Sequence, residues 1–289
     1  MGLFFWHDPR TAGAVAPSGV ATIREGGKAY KTWYDLTAYE IRRRTFCEFY
    51  AGLLDTPGGV LVSGATGSGK SVVLNGILRE ILGRFCPSGA ASGETCRLYL
   101  CDPKIVEFRA YRTVPHVKRY ASSAAEIMAT LDEVDALMMD RYADMAERGL
   151  KMYDGEAVFL FIDEIGDLML THKKDFLPRL THLLNLARAA KITIFVSSQS
   201  PSRSTVPACC QLNCTAKICL KCDTAIESRQ VVGIPGGESL PAHGVALVRT
   251  PKTGGIVRQE LPNCTDGEIA AVLREVVEAE HRCIRRVAV

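Results

Sequence analysis

Eight consecutive residues have the types and spacing that suit the phosphates of a nucleotide: Gly64-Ala65-Thr66-Gly67-Ser68-Gly69-Lys70-Ser71. They match the pattern G-x-x-x-x-G-K-[ST] at every fixed position. In such a loop the glycines let backbone N–H groups point toward phosphate oxygens. We expect Lys70 to reach the β- and γ-phosphates and the Ser71 hydroxyl to hold Mg²⁺.

The residues around this loop have the context that the pattern requires. Residues 60–63 (VLVS) form a short apolar run typical of a buried strand. Behind the loop, apolar residues recur at helical spacing, at Leu74, Ile77, Leu78, Ile81 and Leu82. The alternative is an ordinary Gly/Ser turn before a helix. A strand, a glycine-rich turn and a helix together favour a nucleoside triphosphate site.

A second candidate element is the acidic pair Asp163-Glu164, which follows the apolar run 157–162 (AVFLFI). A buried strand would deliver both acids to the edge of the sheet where open α/β folds bind their ligands. We expect Asp163 to hold Mg²⁺ through water together with Ser71, and Glu164 to polarise the attacking water as general base. The alternative is a favourable interaction of two acids with a helix dipole. An acid in the base position favours ATP hydrolysis over transfer to an acceptor.

The pattern along the chain predicts an α/β fold with a mainly parallel central sheet flanked by helices. Strands are predicted at residues 97–101, 157–162, 192–197, 216–222 and 244–249. Long helices are predicted over 35–54, from 123 to about 148, and from the acidic pair to about 190. We expect a lead-in and helix over 1–55, an ATPase domain over 56–250, and a turn segment and helix over 251–289.

The composition is that of an ordinary soluble globular protein, with 47% hydrophobic and 23% charged residues. A net charge of +3 does not indicate a nucleic-acid binder, but it allows basic residues to be concentrated on a few loops. Apolar runs fall short of the roughly 20 residues that a membrane helix requires. We therefore expect a cytoplasmic protein without a membrane anchor.

Five of the eleven cysteines lie close together in the chain, at Cys209, Cys210, Cys214, Cys219 and Cys222. The C-x-x-C spacing of Cys219 and Cys222 raises the possibility of a zinc site. Residues 216–222 alternate with period two, which predicts a strand with these two side chains on opposite faces. We therefore expect buried, reduced thiols rather than zinc ligands.

Several stretches resemble the FtsK/SpoIIIE DNA translocases of the FtsK–HerA group of RecA-like ATPases. The similar segments cover residues 57 to about 250: 64–72 (GATGSGKSV), 101–107 (CDPKIVE), 115–117 (PHV), 138–145 (MMDRYADM), 161–169 (FIDEIGDLM), 186–190 (LARAA), 197–202 (SSQSPS) and 223–231 (DTAIESRQV). The D-P-K…E and Q-x-P-S segments are much more family-specific than the phosphate loop. The resemblance implies a RecA-like fold, ATP and Mg²⁺ as ligands, and double-stranded DNA as partner.

The resemblance also implies roles for individual residues. It places the nucleotide between Gly64 and Val72, and it makes Arg188 a cation supplied in trans by the neighbouring subunit of a ring, most often a hexamer. Gln199 would contact the γ-phosphate or the attacking water. Asp102, Lys104 and Glu107 would organise the nucleotide or the subunit interface rather than perform chemistry.

This sequence also departs from the family pattern. Ser198-Gln199-Ser200-Pro201-Ser202 stands where the family has Thr-Gln-Arg-Pro-Ser, and we expect neither the membrane anchor nor the winged-helix module that reads DNA polarity. A compact version of this kind resembles motors of conjugative elements, plasmids or phages, which a membrane-bound transfer partner could recruit. A protein-moving ATPase similar to type VII secretion members, and a nucleotide-binding regulatory subunit without turnover, stay open as alternatives.

Two loops are candidates for contact with DNA phosphates, because each follows a strand of the nucleotide site. Residues 171–174 carry Lys173 and Lys174, and residues 200–208 carry Arg203. Helix capping and surface solvation are the alternative interpretations of these cations. The cluster Arg42, Arg43 and Arg44 is a further candidate, with a solvated helix face as its alternative.

Overall fold

The computed structural model describes residues 23–25, 28–30, 48–55, 58–87 and 93–287, with side chains for 48–55, 58–87 and 93–278. The chain divides into two compact units, Met1–Arg44 and Thr45–Val289. In the first unit, β1 (Ile23–Glu25) and β2 (Lys28–Tyr30) form an antiparallel pair. The arginine cluster 42–44 lies outside the described residues.

The second unit is built on a nine-stranded sheet in which the strands follow the order β11-β10-β9-β3-β8-β7-β5-β4, with β6 paired to β5. Its strands are β3 (Gly58–Ser63), β4 (Cys86–Pro87), β5 (Thr95–Cys101), β6 (Val117–Ala121), β7 (Ala157–Ile162), β8 (Ile192–Ser198), β9 (Cys214–Cys219), β10 (Val245–Arg249) and β11 (Ile256–Glu260). The pairs from β9 to β4 and β6 are parallel, whereas β9, β10 and β11 pair antiparallel. This confirms the predicted fold class.

Helices cover both faces of the sheet. They are α1 (48–54 in the described part), α2 (Lys70–Arg84), α3 (Ala124–Arg148), α4 (Ile165–Thr171), α5 (Lys173–Leu186), α6 (Ala208–Asn213), α7 (Ala225–Val232) and α8 (Asp266–Val287). Consecutive strand residues serve opposite layers: Leu61 packs in the layer of α3 and α5, and Val60 and Val62 pack in the layer of α1 and α2. Both faces of β3 are buried, which is why this strand is a continuous apolar run instead of an alternating one.

Between β7 and β8 the structure differs from the predicted single helix. The helix that follows the acidic pair ends at Thr171, and a second helix runs from Lys173 to Leu186. The predicted helix extended to about residue 190, but residues 187–190 form a turn. The amide of Ala187 still bonds to Leu183, and Arg141 of α3 donates a 2.6 Å bond to the carbonyl of Ala190. The Arg141 side chain therefore holds this turn against α3.

The predicted strand 216–222 is also wrong in its bounds. Strand β9 runs from Cys214 to Cys219, and α6 lies between the 200–207 loop and this strand. Because the strand ends at Cys219, the period-two argument does not extend to Cys222. Both sulfur atoms lie against Gly237: a Cβ at that position would be 2.8 Å from Cys222 Sγ and 2.9 Å from Cys219 Sγ. The expectation that they face opposite sides was wrong.

The nine described cysteines all carry free thiols, and eight of them are buried. Burial raises the pKa of Cys219 to about 12, so this thiol stays protonated at neutral pH. Within the described ranges, no group of three or more His, Cys, Asp or Glu side chains is placed to hold a metal ion. Across the same residues, none of the helices combines the length and apolar character needed to cross a membrane.

Candidate active site

The phosphate loop connects β3, which ends at Ser63, to α2, which begins at Lys70. Gly67 and Gly69 have φ values of 78° and 97°, which L side chains rarely adopt. A Cβ on Gly64 would lie 2.5 Å from Ser68 Oγ, so that position has no room for a side chain. The buried Ser68 hydroxyl has no hydrogen-bond partner among the described residues. A glycine cradle with an unused hydroxyl fits a bound phosphate group.

Lys70 and Asp163 meet at the centre of the site. Lys70 Nζ lies 2.7 Å from Asp163 Oδ1, and the two residues are 6% and 3% exposed. The Ser197 hydroxyl donates to the same carboxylate oxygen and lies 3.4 Å from Lys70 Nζ. The structure therefore brings together the two predicted residues, and Ser197 at the end of β8 joins them. Sequence reasoning did not single out Ser197, because a serine inside an apolar strand has no distinctive signal.

The side chain that contacts Ser71 is Glu107, whereas we expected Asp163 to share a Mg²⁺ ion with Ser71. Its hydroxyl donates a 2.6 Å bond to Glu107 Oε2, in the loop that follows β5. Burial raises the pKa of Glu107, while the bond from Ser71 acts in the opposite direction. Glu107 therefore contacts a predicted Mg²⁺ ligand directly. From the sequence we expected it only to organise the nucleotide or the subunit interface.

Glu164 follows directly after Asp163 and has a strained backbone. Its φ of 48° is in the left-handed region, which costs about 1–3 kcal/mol for a residue other than glycine. Glu164 Oε1 accepts a 3.3 Å bond from the Gln199 amide, and Oε2 lies 3.4 Å from Lys104 Nζ. The backbone N–H of Gln199 and the Lys104 side chain hold the Glu164 carboxylate, next to Asp163, which pairs with Lys70 of the phosphate loop. That placement suits a residue that orients water.

Gln199 links the phosphate loop to the acidic pair. Its side-chain Oε1 accepts a 3.3 Å bond from the Thr66 hydroxyl, while its backbone amide bonds to Glu164. A change in the position of Thr66 would therefore reach Glu164 through one residue. This geometry is compatible with the sensing role that the resemblance implies.

The D-P-K…E segment is held in place by the buried carboxylate of Asp102. Asp102 accepts bonds from the amides of Val106 and Phe108 at 3.3 and 2.9 Å, and from the Tyr120 hydroxyl at 3.0 Å. Ile105 has a φ of 55°, a strained value for a β-branched side chain. Asp102 thus acts on the loop backbone, and the loop presents Lys104 and Glu107 to the site.

A cavity of about 370 Å³ lies beside the amino end of α2. Its lining combines α2 with later parts of the chain: Gly69, Val72, Val73, Leu220, His243, Gly244, Leu261, Pro262 and Asn263. Residues 261–263 belong to the segment that we separated from the ATPase domain on sequence alone. The cavity has the location and apolar lining that a nucleoside would need next to its phosphates.

Arg188 lies at the other end of the sheet. Its Cβ is 4.0 Å from the position of a Cβ on Gly58, the first residue of β3, and its side chain is exposed. The phosphate loop begins after Ser63, the last residue of that strand, so about 17–20 Å separates the two ends. The structure therefore does not bring Arg188 to the nucleotide site of its own chain.

The three candidate DNA contacts are exposed. Lys173 and Lys174 form the first turn of α5, and Arg203 lies in the turn before α6. Helices α5 and α6 contact each other. Arg203 also lines a cavity of about 420 Å³ together with Ile226, Glu227 and Arg229 of α7. All three side chains are accessible to a partner.

The residues present fit a magnesium nucleotide. Mg²⁺ prefers oxygen ligands and retains water and phosphate oxygens, so one or two protein groups suffice. Ser71 supplies a hydroxyl and Asp163 a carboxylate for the ion, Glu107 accepts the proton of the Ser71 hydroxyl, and Lys70 supplies the cation for phosphate oxygens.

Comparison with known proteins identifies the family. A model of the FtsK/SpoIIIE family matches residues 40–158. A DNA translocase FtsK from Campylobacter jejuni is 32% identical over 228 residues, which cover 74% of this chain. The chain belongs to the FtsK/SpoIIIE family. A second DNA translocase FtsK, from Oceanobacillus iheyensis, is 27% identical over 86% of this chain.

The match covers only part of those relatives, 24% of the Campylobacter protein and 34% of the Oceanobacillus protein. Among solved structures, the pCW3 conjugation coupling protein TcpA with ATPγS has a TM-score of 0.65 at 20% identity, covering 78% of this chain and 66% of that one. ATPases 2 and 3 of EssC from Geobacillus thermodenitrificans have a TM-score of 0.64 at 18% identity, covering 78% and 44%. These likenesses establish the P-loop ATPase fold.

Proposed function

We propose that this protein is an ATPase that uses hydrolysis in a ring of identical subunits to move double-stranded DNA. The observation that carries the proposal is the arrangement of Lys70, Asp163 and Glu164 around one phosphate cradle. Similarity to relatives that are named DNA translocases supports the choice of DNA. The likeness to the conjugation coupling protein TcpA supports conjugative DNA transfer as the setting, among the conjugative, plasmid and phage settings expected from the sequence.

Within the site, each residue has a task that its contacts support. Lys70 binds phosphate oxygens, and Ser71 and Asp163 hold Mg²⁺, which when bound neutralises charge on the transferring phosphoryl group. Glu164 takes a proton from the attacking water as general base, and Lys104 and the Gln199 amide hold its carboxylate in place. Gln199 relays the state of the phosphate loop through Thr66.

The position of Arg188 supports an oligomer. Arg188 lies at the far end of the sheet from the nucleotide site of its own chain. It can therefore act on phosphate only in the nucleotide site of a neighbouring subunit. A closed ring satisfies this condition at every interface, because each copy then gives and receives one arginine. We propose a hexamer, with residues 56–250 as the motor domain and residues 261–263 completing the nucleoside cavity.

DNA enters this proposal through exposed cations. Lys173 and Lys174 start α5, the second helix after the acidic pair, and Arg203 lies four residues after Gln199. The first segment connects to the acidic pair through α4 and the second connects to Gln199, so movement at the site reaches both. A ring presents each cation several times, which offsets the small net charge of one chain.

A second candidate is an ATPase that moves protein, favoured by the structural likeness to the Type VII secretion ATPase EccC of Thermomonospora curvata. One assay separates the two proposals: steady-state ATP hydrolysis with and without linear duplex DNA at fixed salt. We expect DNA to stimulate hydrolysis, and we expect the Glu164→Gln protein to show no stimulation. A wild-type rate that is unaffected by DNA would favour the protein-moving candidate. Binding of ATP without any turnover would favour a regulatory subunit.

A further inference from the structure

The proton of the Ser71 hydroxyl has an assigned acceptor in this structure. Ser71 Oγ lies 2.6 Å from Glu107 Oε2, which is the length of a strong bond from a hydroxyl to a carboxylate. A hydroxyl has one proton and two lone pairs. When its proton is committed to Glu107, the lone pairs of Ser71 remain available for a cation. The contact therefore favours the hydroxyl orientation that metal binding requires.

Glu107 is itself held by α2, the helix that begins at the phosphate loop. Its other oxygen, Oε1, accepts a 3.3 Å bond from Asn75 Nδ2. Asn75 Nδ2 also bonds to the Ser71 carbonyl at 2.9 Å, and Asn75 Oδ1 accepts a 2.6 Å bond from the Tyr111 hydroxyl. Ser71 and Glu107 are therefore linked both directly and through Asn75. This network fixes the carboxylate relative to the phosphate loop.

One oxygen of the Asp163 carboxylate already has two partners. Its Oδ1 atom takes both Lys70 and the Ser197 hydroxyl, and its residue is only 3% exposed. The two acids therefore have different partners beside the phosphate loop: Asp163 is paired with Lys70, and Glu107 is paired with Ser71.

We propose that Glu107 is a positioning residue for Mg²⁺, which accepts the Ser71 proton and thereby directs a Ser71 lone pair toward the ion. The inference rests on the proposed binding of a magnesium nucleotide and adds a residue to it. Glu107 acts through Ser71, in the manner of the outer partners that orient the ligands of a metal.

The test is equilibrium binding of ATPγS by calorimetry, carried out in EDTA and across a Mg²⁺ titration. The proteins are wild type, Ser71→Ala, Glu107→Ala, the double variant and Glu107→Gln. We expect Glu107→Ala to raise the Mg²⁺ concentration needed for half-maximal tightening by about tenfold or more, as for other outer partners of a metal ligand. Affinity in EDTA should stay at the wild-type value.

The double variant gives the decisive comparison. If Glu107 acts through Ser71, the double variant should match Ser71→Ala alone, because the second substitution has nothing left to orient. Glu107→Gln should lie between wild type and Glu107→Ala, since an amide oxygen still accepts the Ser71 proton without supplying charge. Thermal unfolding without nucleotide checks that the loop after β5 is intact.

Three results would overturn the inference: an unchanged Mg²⁺ requirement in Glu107→Ala, an equal loss of affinity in EDTA, or losses that add in the double variant. A wild-type protein that fails to bind ATPγS in Mg²⁺ would instead reject the nucleotide site itself. The failure of the inference and the failure of the proposed function are therefore distinguishable.

Discussion

At the carboxyl ends of β3, β7 and β8 the charged side chains are buried and paired, whereas at the amino ends of β3 and β8 Arg188 is exposed. Lys70 and Asp163 are 6% and 3% exposed and lie 2.7 Å apart. Arg188 lies beside Gly58, one strand length from the phosphate loop. One end of the sheet carries groups arranged around a common point, and the other end carries a cation directed toward solvent.

This difference indicates that the two ends of the sheet supply different parts of an ATPase site. Buried charges persist only when they are paired and hydrogen-bonded, so the carboxyl end is organised within the chain. An exposed arginine needs no internal partner and is available to another molecule. We infer that the carboxyl end provides binding and water activation, and that the amino end provides the cation for the next subunit.

The largest expected effect comes from Lys70→Ala at the carboxyl end. Nucleotide binding should be lost, because Lys70 supplies the cation of the cradle and neutralises Asp163. Calorimetry with ATPγS measures binding, and circular dichroism checks folding. Lys118→Ala, an exposed lysine on β6, is the matched control and should bind normally. Normal binding by Lys70→Ala would show that this end does not hold phosphates as proposed.

Glu164→Gln should keep ATP binding and lower kcat by about 10²–10⁴, the range expected for loss of a general base. The glutamine side chain has the same shape but only one acceptor oxygen, so it keeps one of the two contacts, either with Lys104 or with the backbone N–H of Gln199. The control is Asp167→Asn, an exposed acid in the first turn of α4, the helix that follows Glu164. Single-turnover hydrolysis separates chemistry from product release. Wild-type turnover in Glu164→Gln would remove it from the role of base.

Arg188→Ala tests the amino end. It should bind ATP normally and hydrolyse roughly 10²–10³ times more slowly, as expected when a donor to transition-state charge is removed. Mixing it with Glu164→Gln protein should restore part of the activity, since random assembly makes about a quarter of the interfaces intact. Activity that fails to recover, or a monomeric form that hydrolyses at the full rate, would contradict the division between the two ends.

The smallest effect is expected from the cations near DNA. Removing Lys173, Lys174 and Arg203 together should weaken DNA binding regardless of its sequence and lower the slope of log K against log salt by about one unit for each lost phosphate contact. ATP affinity should stay unchanged. The control removes Lys118, Lys151 and Arg258, which are exposed elsewhere. An unaltered salt slope would direct attention to Arg42–Arg44.

Much of the site was predictable because its signals are local. The residues of the phosphate loop and its flanking strand are contiguous, and their pattern predicts a turn between a strand and a helix. The apolar run before Asp163 likewise predicts a strand buried on both faces. Both predictions are confirmed by β3, α2 and β7. Periodicity and motif spacing predict such features directly, because all the residues involved are close together in the chain.

Other features depend on contacts between distant segments. Glu107 meets Ser71 across 36 positions, and Ser197 meets Asp163 across 34. Strand β6, with mixed burial, and the polar edge strand β11 have no strong apolar run, so they were missed. Cys219 and Cys222 meet because β9 ends between them, a boundary that alternation alone misplaces.

The sequence by itself determined the chemistry available to this protein: a phosphate cradle, a lysine, a serine and two acids after buried strands. The tertiary structure decided which of these groups are partners, and it alone placed Arg188 at the far end of the sheet. The physical reason is that side-chain pairing follows from strand order and loop path, which arise from long-range packing. Local pattern records burial and turn formation, but it contains no measure of the distance between strands that are far apart in the chain.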